Sequence, residues 1–316
     1  MTAASDDADV RVICGPTAAG KSAVAMWLAE REPTTIISAD SRQVYRGFDI
    51  GTAKPTAEER ERVPHLGIDI AQPTERSSAA AWAEHASRWI EESRREGREP
   101  LIVGGTGLYL RALFEGLFEE PPLDAGSRRE LERTLAALDI RELRRWTAAL
   151  DPERSHLGRT QLLRAIEVAL LTGRRMSELH RERARPPRWR ARYLLVDPGP
   201  SLADRIAARL DGMLDNGWPR EVERLMKTVP ATAPAWNATG YDVLRRMELG
   251  ELSPGAAREA VLIQTRQYAK RQRTWFRHQL PADAVTRLDP TVPTWQSEAE
   301  AWSASVVRAR GGGSDA

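Results

Sequence analysis

The chain opens with short apolar runs separated by amphipathic stretches. Residues 10–14 (VRVIC), 35–39 (TIISA) and 101–103 (LIV) are each closed by a glycine or an aspartate. The segments between them carry a helical period. Over 77–96, Trp82, Ala86, Trp89, Ile90 and Ser93 recur at spacings of three and four, and Gly97 and Pro100 end the pattern. A helix is also expected over 23–30. Alternation of strand, helix and strand predicts an α/β fold, a parallel sheet flanked by helices. A later run, 193–197 (YLLVD), returns to strand. A helix follows over 201–213, with Ser201 placed to cap it. Another opens at Ser253-Pro254 and runs to about residue 278.

The middle of the chain differs. After Pro121-Pro122 the texture changes, and 126–186 is arginine-rich and helical in period, with leucines at 131, 135, 138, 143 and 150. The expected organisation is a core made of 10–120 and 190–285, a helical insertion at 121–189, and weak order at 1–9 and 286–316. No internal repeat is visible.

Composition narrows the class. With 41% hydrophobic and 29% charged residues, the chain reads as an ordinary soluble globular protein. Net charge is only +2, yet just four of 47 basic residues are lysine: Lys21, Lys54, Lys227 and Lys270. The arginine excess fits either a GC-rich genome or phosphate and RNA contact. A single cysteine, Cys14, argues against a disulfide framework or a cysteine-rich zinc site. The acidic stretch MTAASDDADV lacks a signal-peptide core, and no run of about 18 apolar residues occurs. A cytoplasmic monomer that is not inserted in a membrane is expected.

Four stretches carry chemistry. The first, Gly15-Pro16-Thr17-Ala18-Ala19-Gly20-Lys21-Ser22, matches G-x-x-x-x-G-K-[ST], after an apolar strand and at the start of a helix. Its backbone N–H groups form a nest where helix-dipole charge accumulates. Lys21 adds a point charge, and the Ser22 hydroxyl is placed to hold Mg²⁺. Alone, the loop predicts a bound nucleotide such as ATP, and a metabolite kinase or an RNA-binding NTPase would each carry it. The second, DSRQVYRGFDIGTAKP (40–55), places Asp40 on the sheet edge where open α/β folds bind ligands. Asp40 is then either a base near the phosphates or a magnesium ligand. The third, GGTGLYLR (104–111), ends its strand in glycines and Thr106, either leaving room for a substrate or making a tight turn. In the fourth, TRQYAKRQRTWFR (265–277), Arg266, Lys270, Arg273 and Arg277 share one helix face, interleaved with Tyr268, Trp275 and Phe276. That face is either solvated or follows an RNA backbone. Arg205 and Arg209 form an i, i+4 pair for which nearby acids are the simplest partners.

In this order, the four stretches resemble the tRNA dimethylallyltransferase (tRNA isopentenyltransferase) family. Weaker echoes are VPHLGIDI (63–70), QLLRAIEVALLTGR (161–174) and ATGYDVL (238–244). The similarity covers residues 10–280, and DSRQVYRGFDIGTAKP is its most specific part. The resemblance implies a phosphate-loop sheet domain with a mainly helical inserted domain. It implies transfer of a dimethylallyl group from dimethylallyl diphosphate to N6 of the adenosine 3′-adjacent to the anticodon (position 37), in tRNAs reading codons that begin with U. Diphosphate leaves and Mg²⁺ is required. Asp40 is then the general base, Thr106 lies near the reacting groups, Arg205 steadies the diphosphate, and Gly15 to Ser22 hold it. Contacts to tRNA are implied for Asp40, Ser41, Arg42, Gln43, Thr106, Gln161, Arg164, Gly240, Tyr241, Arg266, Lys270 and Arg273. Two positions depart from the family pattern: Gln161 stands where arginine is frequent, and Gly158 where asparagine is common. A relative acting on free adenine nucleotides is the nearest alternative. The arginine-rich helix and the insertion favour a large polyanionic acceptor.

Overall fold

The computed structural model describes residues 8–116, 123–182 and 188–311, with 125 and 307–311 described by backbone alone. Its contacts divide the chain into two units. One runs to Phe114 and resumes at residue 187; the other spans 115–186. The expected junction at 120/121 lies outside the described residues, and the one expected at 189/190 falls where β5 opens at Arg190.

The first unit is built on strands β1 (Asp9–Cys14), β2 (Thr34–Ser38), β3 (His65–Leu66), β4 (Glu99–Gly104), β5 (Arg190–Val196) and β6 (Val285–Leu288). They form one parallel sheet in the order β3-β2-β4-β1-β5-β6. β1 lies inside, with Val12 beside Ile102 and Tyr193, and is buried along its whole length. That accounts for its continuous rather than alternating apolar run. The helices are α1 (Lys21–Ala29), α2 (Ala57–Arg62), α3 (Ala79–Arg95), α4 (Gly107–Phe114), then α9 (Leu202–Asp215), α10 (Trp218–Thr228), α11 (Tyr241–Glu248), α12 (Pro254–Gln279) and α13 (Trp295–Gly311). Ser253 caps α12 as expected, accepting from the Ala256 N–H. Ser201 stands at the N-cap of α9, but its hydroxyl donates to the Pro198 carbonyl and does not cap the helix. No helix among the described residues is long and apolar enough to cross a membrane.

Two expectations of weak order are corrected. Asp9 is not part of a disordered lead: it opens β1, and its carboxylate receives Arg190 at 2.8 Å and Arg192 at 3.1 Å from β5. Residues 1–7 lie outside the described residues. The stretch from 286 is not a loose tail either. β6 adds an edge strand beside β5, and α13 packs on the sheet through Ala299, Trp302 and Val306, against Val24 and Leu28 of α1. Trp27 and Trp295 meet edge to face at 5.4 Å. Buried Arg11 on β1 hydrogen-bonds both Glu32 and Ser303 of α13. The helical signal was there, with Trp295, Ala299, Trp302 and Val306 at spacings of four, three and four, but serine and alanine diluted it. Residues 312–316 lie outside the described residues.

The second unit is helical: α5 (Ala125–Ala136), α6 (Ile140–Leu150), α7 (Arg159–Thr172) and α8 (Met176–Glu182). Leu135, Leu143, Leu162 and Ile166 form its core, with Leu131, Leu138 and Leu150 packed against it. Asp139 and Glu142 close a capping box at the start of α6.

Candidate active site

The loop between β1 and α1 turns through left-handed backbone at Gly15 (φ 147°), Ala18 (φ 62°) and Gly20 (φ 102°). Only glycine fits at 15, where a Cβ would lie 2.1 Å from the Val196 carbonyl oxygen. The loop is tied from three sides. Lys21 Nζ donates to the Pro16 carbonyl at 2.7 Å, Arg205 Nε to the Ala18 carbonyl at 3.0 Å, and the Thr17 N–H to Gln272 Oε1 at 2.8 Å. Ser22 is exposed at the opening turn of α1, whose first N–H groups have no intrahelical acceptor.

Asp40 follows β2, and Thr106 follows the neighbouring β4. The Thr106 N–H donates to the Ala39 carbonyl at 3.1 Å, and Thr106 Oγ1 accepts the Ser41 N–H at 3.0 Å. Asp40 Oδ1 accepts the Arg42 N–H at 2.8 Å, which fixes the carboxylate as the chain leaves the strand. The glycines beside Thr106 do not open a path for substrate. A Cβ at Gly104 would lie 2.2 Å from the Ala39 carbonyl oxygen, at Gly105 2.2 Å from Gln272 Nε2, and at Gly107 2.3 Å from the Trp275 ring. They serve close packing of the protein on itself.

A cavity of about 570 Å³ joins these parts, lined by Lys21, Ser22, Asp40, Arg205, Arg209 and Tyr268 among others. Arg205 and Arg209 do not pair with acids as expected: among the described residues no carboxylate forms an ion pair with either, or with Lys21. Arg209 faces the cavity. Crowding by protein lowers its pKa, and Asp40 opposes that shift. Lys21 is pushed down to about 8, first by burial and then by Arg209, against the pull of Asp40 and Cys14. Tyr268 is pushed up to about 12 by burial and the Asp40 charge, so it stays a neutral phenol beside the carboxylate. Cys14, beneath the loop, is raised to about 12 by burial and is an inert thiol. Three cations held in no ion pair among the described residues, backbone N–H groups and the Asp40 carboxylate make an anion site next to a base.

The residues expected to touch RNA divide by burial. Ser41 and Arg42 stand partly exposed beside Asp40. Gln43 instead clasps its own loop, accepting from Ser38 Oγ and donating to the Thr52 and Ala53 carbonyls. Tyr241 is fully buried; its hydroxyl donates to Glu221 at 2.6 Å and accepts the Gly51 N–H at 3.1 Å. Gly240 lies against Trp218, where a Cβ would come within 2.4 Å of the ring. This pair supports the 49–51 turn and presents no side chain to a nucleic acid. Arg273, expected on the RNA-facing side, grips Asp197 with two nitrogens and the Gly199 carbonyl with one. Arg266 and Lys270 are exposed. In the second unit, Gln161 caps its own helix at the Gly158 N–H, and Arg164 pairs with buried Glu167 at 2.7 Å.

Gln272, Tyr268 and Lys54 stand in the motifs without a stated role of their own, and Glu221 lies outside them. Glu221 accepts the Asp49 and Ile50 N–H groups, while Lys54 reaches Asp49, Asp69 and the Tyr45 carbonyl. Both hold the 45–54 loop. Gln272 and Tyr268 share the helix of the fourth stretch, whose cations and aromatics are read there for RNA contact, with Gln272 turned inward.

A sequence model of the IPP transferase family matches residues 43–279. Similar curated proteins named tRNA dimethylallyltransferase include one from Geobacter metallireducens, 44% identical over 274 residues, covering 84% of this chain and 88% of the relative. Another, from Halorhodospira halophila, is 43% identical, covering 89% and 94%. Among solved structures, a tRNA isopentenylpyrophosphate transferase from Bacillus halodurans aligns with TM-score 0.70 at 31% identity, covering 96% of this chain and 98% of that one. A eukaryotic dimethylallyltransferase captured acting on tRNA aligns with TM-score 0.76 at 25% identity, covering 96% and 80%.

Proposed function

The chain belongs to the IPP transferase family and transfers a dimethylallyl group to tRNA, and on that premise we propose that the phosphate loop holds the donor's diphosphate while Asp40 takes a proton from the acceptor amine. The observation that carries this reading is the meeting, in one cavity, of Lys21, Arg205 and Arg209 with the Asp40 carboxylate, itself fixed by the Arg42 N–H.

The acceptor we infer is N6 of the adenosine at position 37, in tRNAs reading codons that begin with U. An exocyclic adenine amine is a weak nucleophile because its lone pair is delocalised into the ring. As the N6–C1 bond forms, the C1–O bond of the donor breaks and its electron pair goes to diphosphate. The N6 proton goes to the Asp40 carboxylate; Tyr268 lines the cavity beside it, and Thr106 holds the adjoining Ser41 N–H. The loop N–H groups, Lys21, Arg205 and Arg209 receive the charge that develops on the leaving group. Presenting the base requires unstacking it from its neighbours, at a cost of a few kcal/mol in a loop.

Mg²⁺ fits this site as an ion held mostly by water and substrate phosphates. Among the described residues no group of three or more acidic, histidine or cysteine side chains gathers, while Ser22 offers one hydroxyl at the opening of α1. When bound there, the ion would supply further charge neutralisation for the leaving diphosphate. Because tRNA is the acceptor, we place the protein in the cytoplasm.

Single-turnover kinetics test the role of Asp40. Asp40→Ala should keep donor binding and lose about 10²-fold or more in the chemical step. A variant that changes only the Mg²⁺ requirement would make Asp40 a metal ligand instead.

A further inference from the structure

α12 carries one polar side chain turned fully inward. Gln272 is only 6% exposed, among the apolar residues of its face. Both ends of its amide are used: Oε1 accepts the Thr17 N–H at 2.8 Å, and Nε2 donates to the Gly105 carbonyl at 2.9 Å. Thr17 belongs to the phosphate loop after β1. Gly105 directly precedes Thr106, whose hydroxyl accepts the N–H next to Asp40. The amide therefore spans the gap between the diphosphate side of the cavity and the proton-transfer side.

Only a primary amide of this length meets both demands. One neighbour is a donor and the other an acceptor, so a carboxylate satisfies Thr17 but opposes the Gly105 carbonyl, and an apolar side chain satisfies neither. Gly105 is shaped to the amide, since any Cβ there would lie 2.2 Å from Nε2. With the Thr17 N–H occupied, the N–H groups left for phosphate begin at Ala18, in the left-handed turn that leads into α1.

We propose that Gln272 is a positioning residue that sets the phosphate loop at a fixed distance from the Asp40–Thr106 edge. Both ends of its amide are taken up by the protein's own backbone, so it acts through the loop. This rests on the reading above, in which the loop holds the donor's diphosphate. A loop held in its binding conformation beforehand loses less freedom when the ligand arrives. Releasing the brace should therefore weaken diphosphate binding and misplace the leaving group, without altering how tRNA is gripped.

The experiment varies each substrate in steady state, titrates inorganic diphosphate with Mg²⁺ by calorimetry, and records thermal unfolding of each protein. Gln272→Met is neutral and similar in length. It should raise the donor KM and the diphosphate Kd by about tenfold, lower kcat, and leave the tRNA KM within twofold. Gln272→Glu keeps the Thr17 acceptor but adds negative charge behind the loop, so its donor KM should rise further. Gly105→Ala drives a methyl into the amide from the other side and should give the same split, which keeps the test open if a Gln272 variant does not fold. Lys21→Ala controls for the loop reading. If it weakens diphosphate binding while folded Gln272 variants match the wild type in donor KM and Kd, the proposal for Gln272 is overturned and the loop reading stands. If Lys21→Ala also leaves diphosphate binding unchanged, the loop reading itself fails.

Discussion

Lys21 links the local environment of one residue to a measurable pH dependence. Burial and Arg209 push its ammonium down to about 8, so the free loop loses this charge as pH rises through that value. Diphosphate binds the charged form. Donor kcat/KM should therefore be full below about pH 8 and fall by up to tenfold per unit above it. In Lys21→Arg the guanidinium stays charged throughout, so the alkaline limb should flatten, even though the longer side chain lowers the maximum. A pH profile of donor kcat/KM for both proteins checks this; an alkaline limb unchanged in Lys21→Arg would assign the titration elsewhere. The loop residues were legible because their geometry is local. Gln43, Tyr241 and Arg273 were legible as motif members only. Whether a polar side chain faces RNA or holds a turn depends on what packs against it: Gln43 folds onto its own loop at Ala53, while Tyr241 and Arg273 meet partners outside their motifs, Glu221 and Asp197.

Among the elements, α12 shows how one helix divides its work between two faces. Arg266 and Lys270 point to solvent, whereas Arg273 braces β5 through Asp197, just past its end, and Gln272 braces the phosphate loop. Replacing Arg266 and Lys270 together with alanine should raise the tRNA KM and flatten its dependence on salt by about two charges, with no loss of stability. Salt titration of the double variant reads this directly, and an unchanged slope would remove the helix from the interface. Arg273→Ala should behave in the opposite way, leaving the Asp197 carboxylate unpaired and lowering the melting temperature. The 49–51 turn makes a similar point. Tyr241→Phe removes a donor from buried Glu221, which should cost about 1–3 kcal/mol in denaturant unfolding. The cation pattern was visible in the sequence. The division of the helix into two faces was not, because glutamine at 272 looks polar and exposed until the loop beneath it is known.

For the whole molecule, the order β3-β2-β4-β1-β5-β6 places the loop after β1, Thr106 after β4 and Asp40 after β2 on three adjacent strands. The strand-helix alternation of the first hundred residues foretold that arrangement. The C-terminal contribution was hidden: β6 and α13 complete the sheet and cover Arg11, and Pro290, between them, lies 3.5 Å from a Cβ built at Gly20. Removing the chain after residue 284 should therefore take Leu288, Trp302 and Val306 out of the core, each contributing about 1.5–3 kcal/mol at most, uncover Val24, Leu28 and Val196, and yield a protein without a cooperative thermal transition. A truncated chain that melts like the full one would restore the view of a dispensable tail. The central claim is that phosphate is gripped here without being transferred. It is tested by supplying dimethylallyl diphosphate, labelled in its carbon chain, together with an anticodon stem-loop containing consecutive adenines and Mg²⁺, with ATP present. Label should appear on adenine N6, with one diphosphate released for each label transferred and no ADP. Hydrolysis of ATP to ADP with no label in the RNA would contradict it.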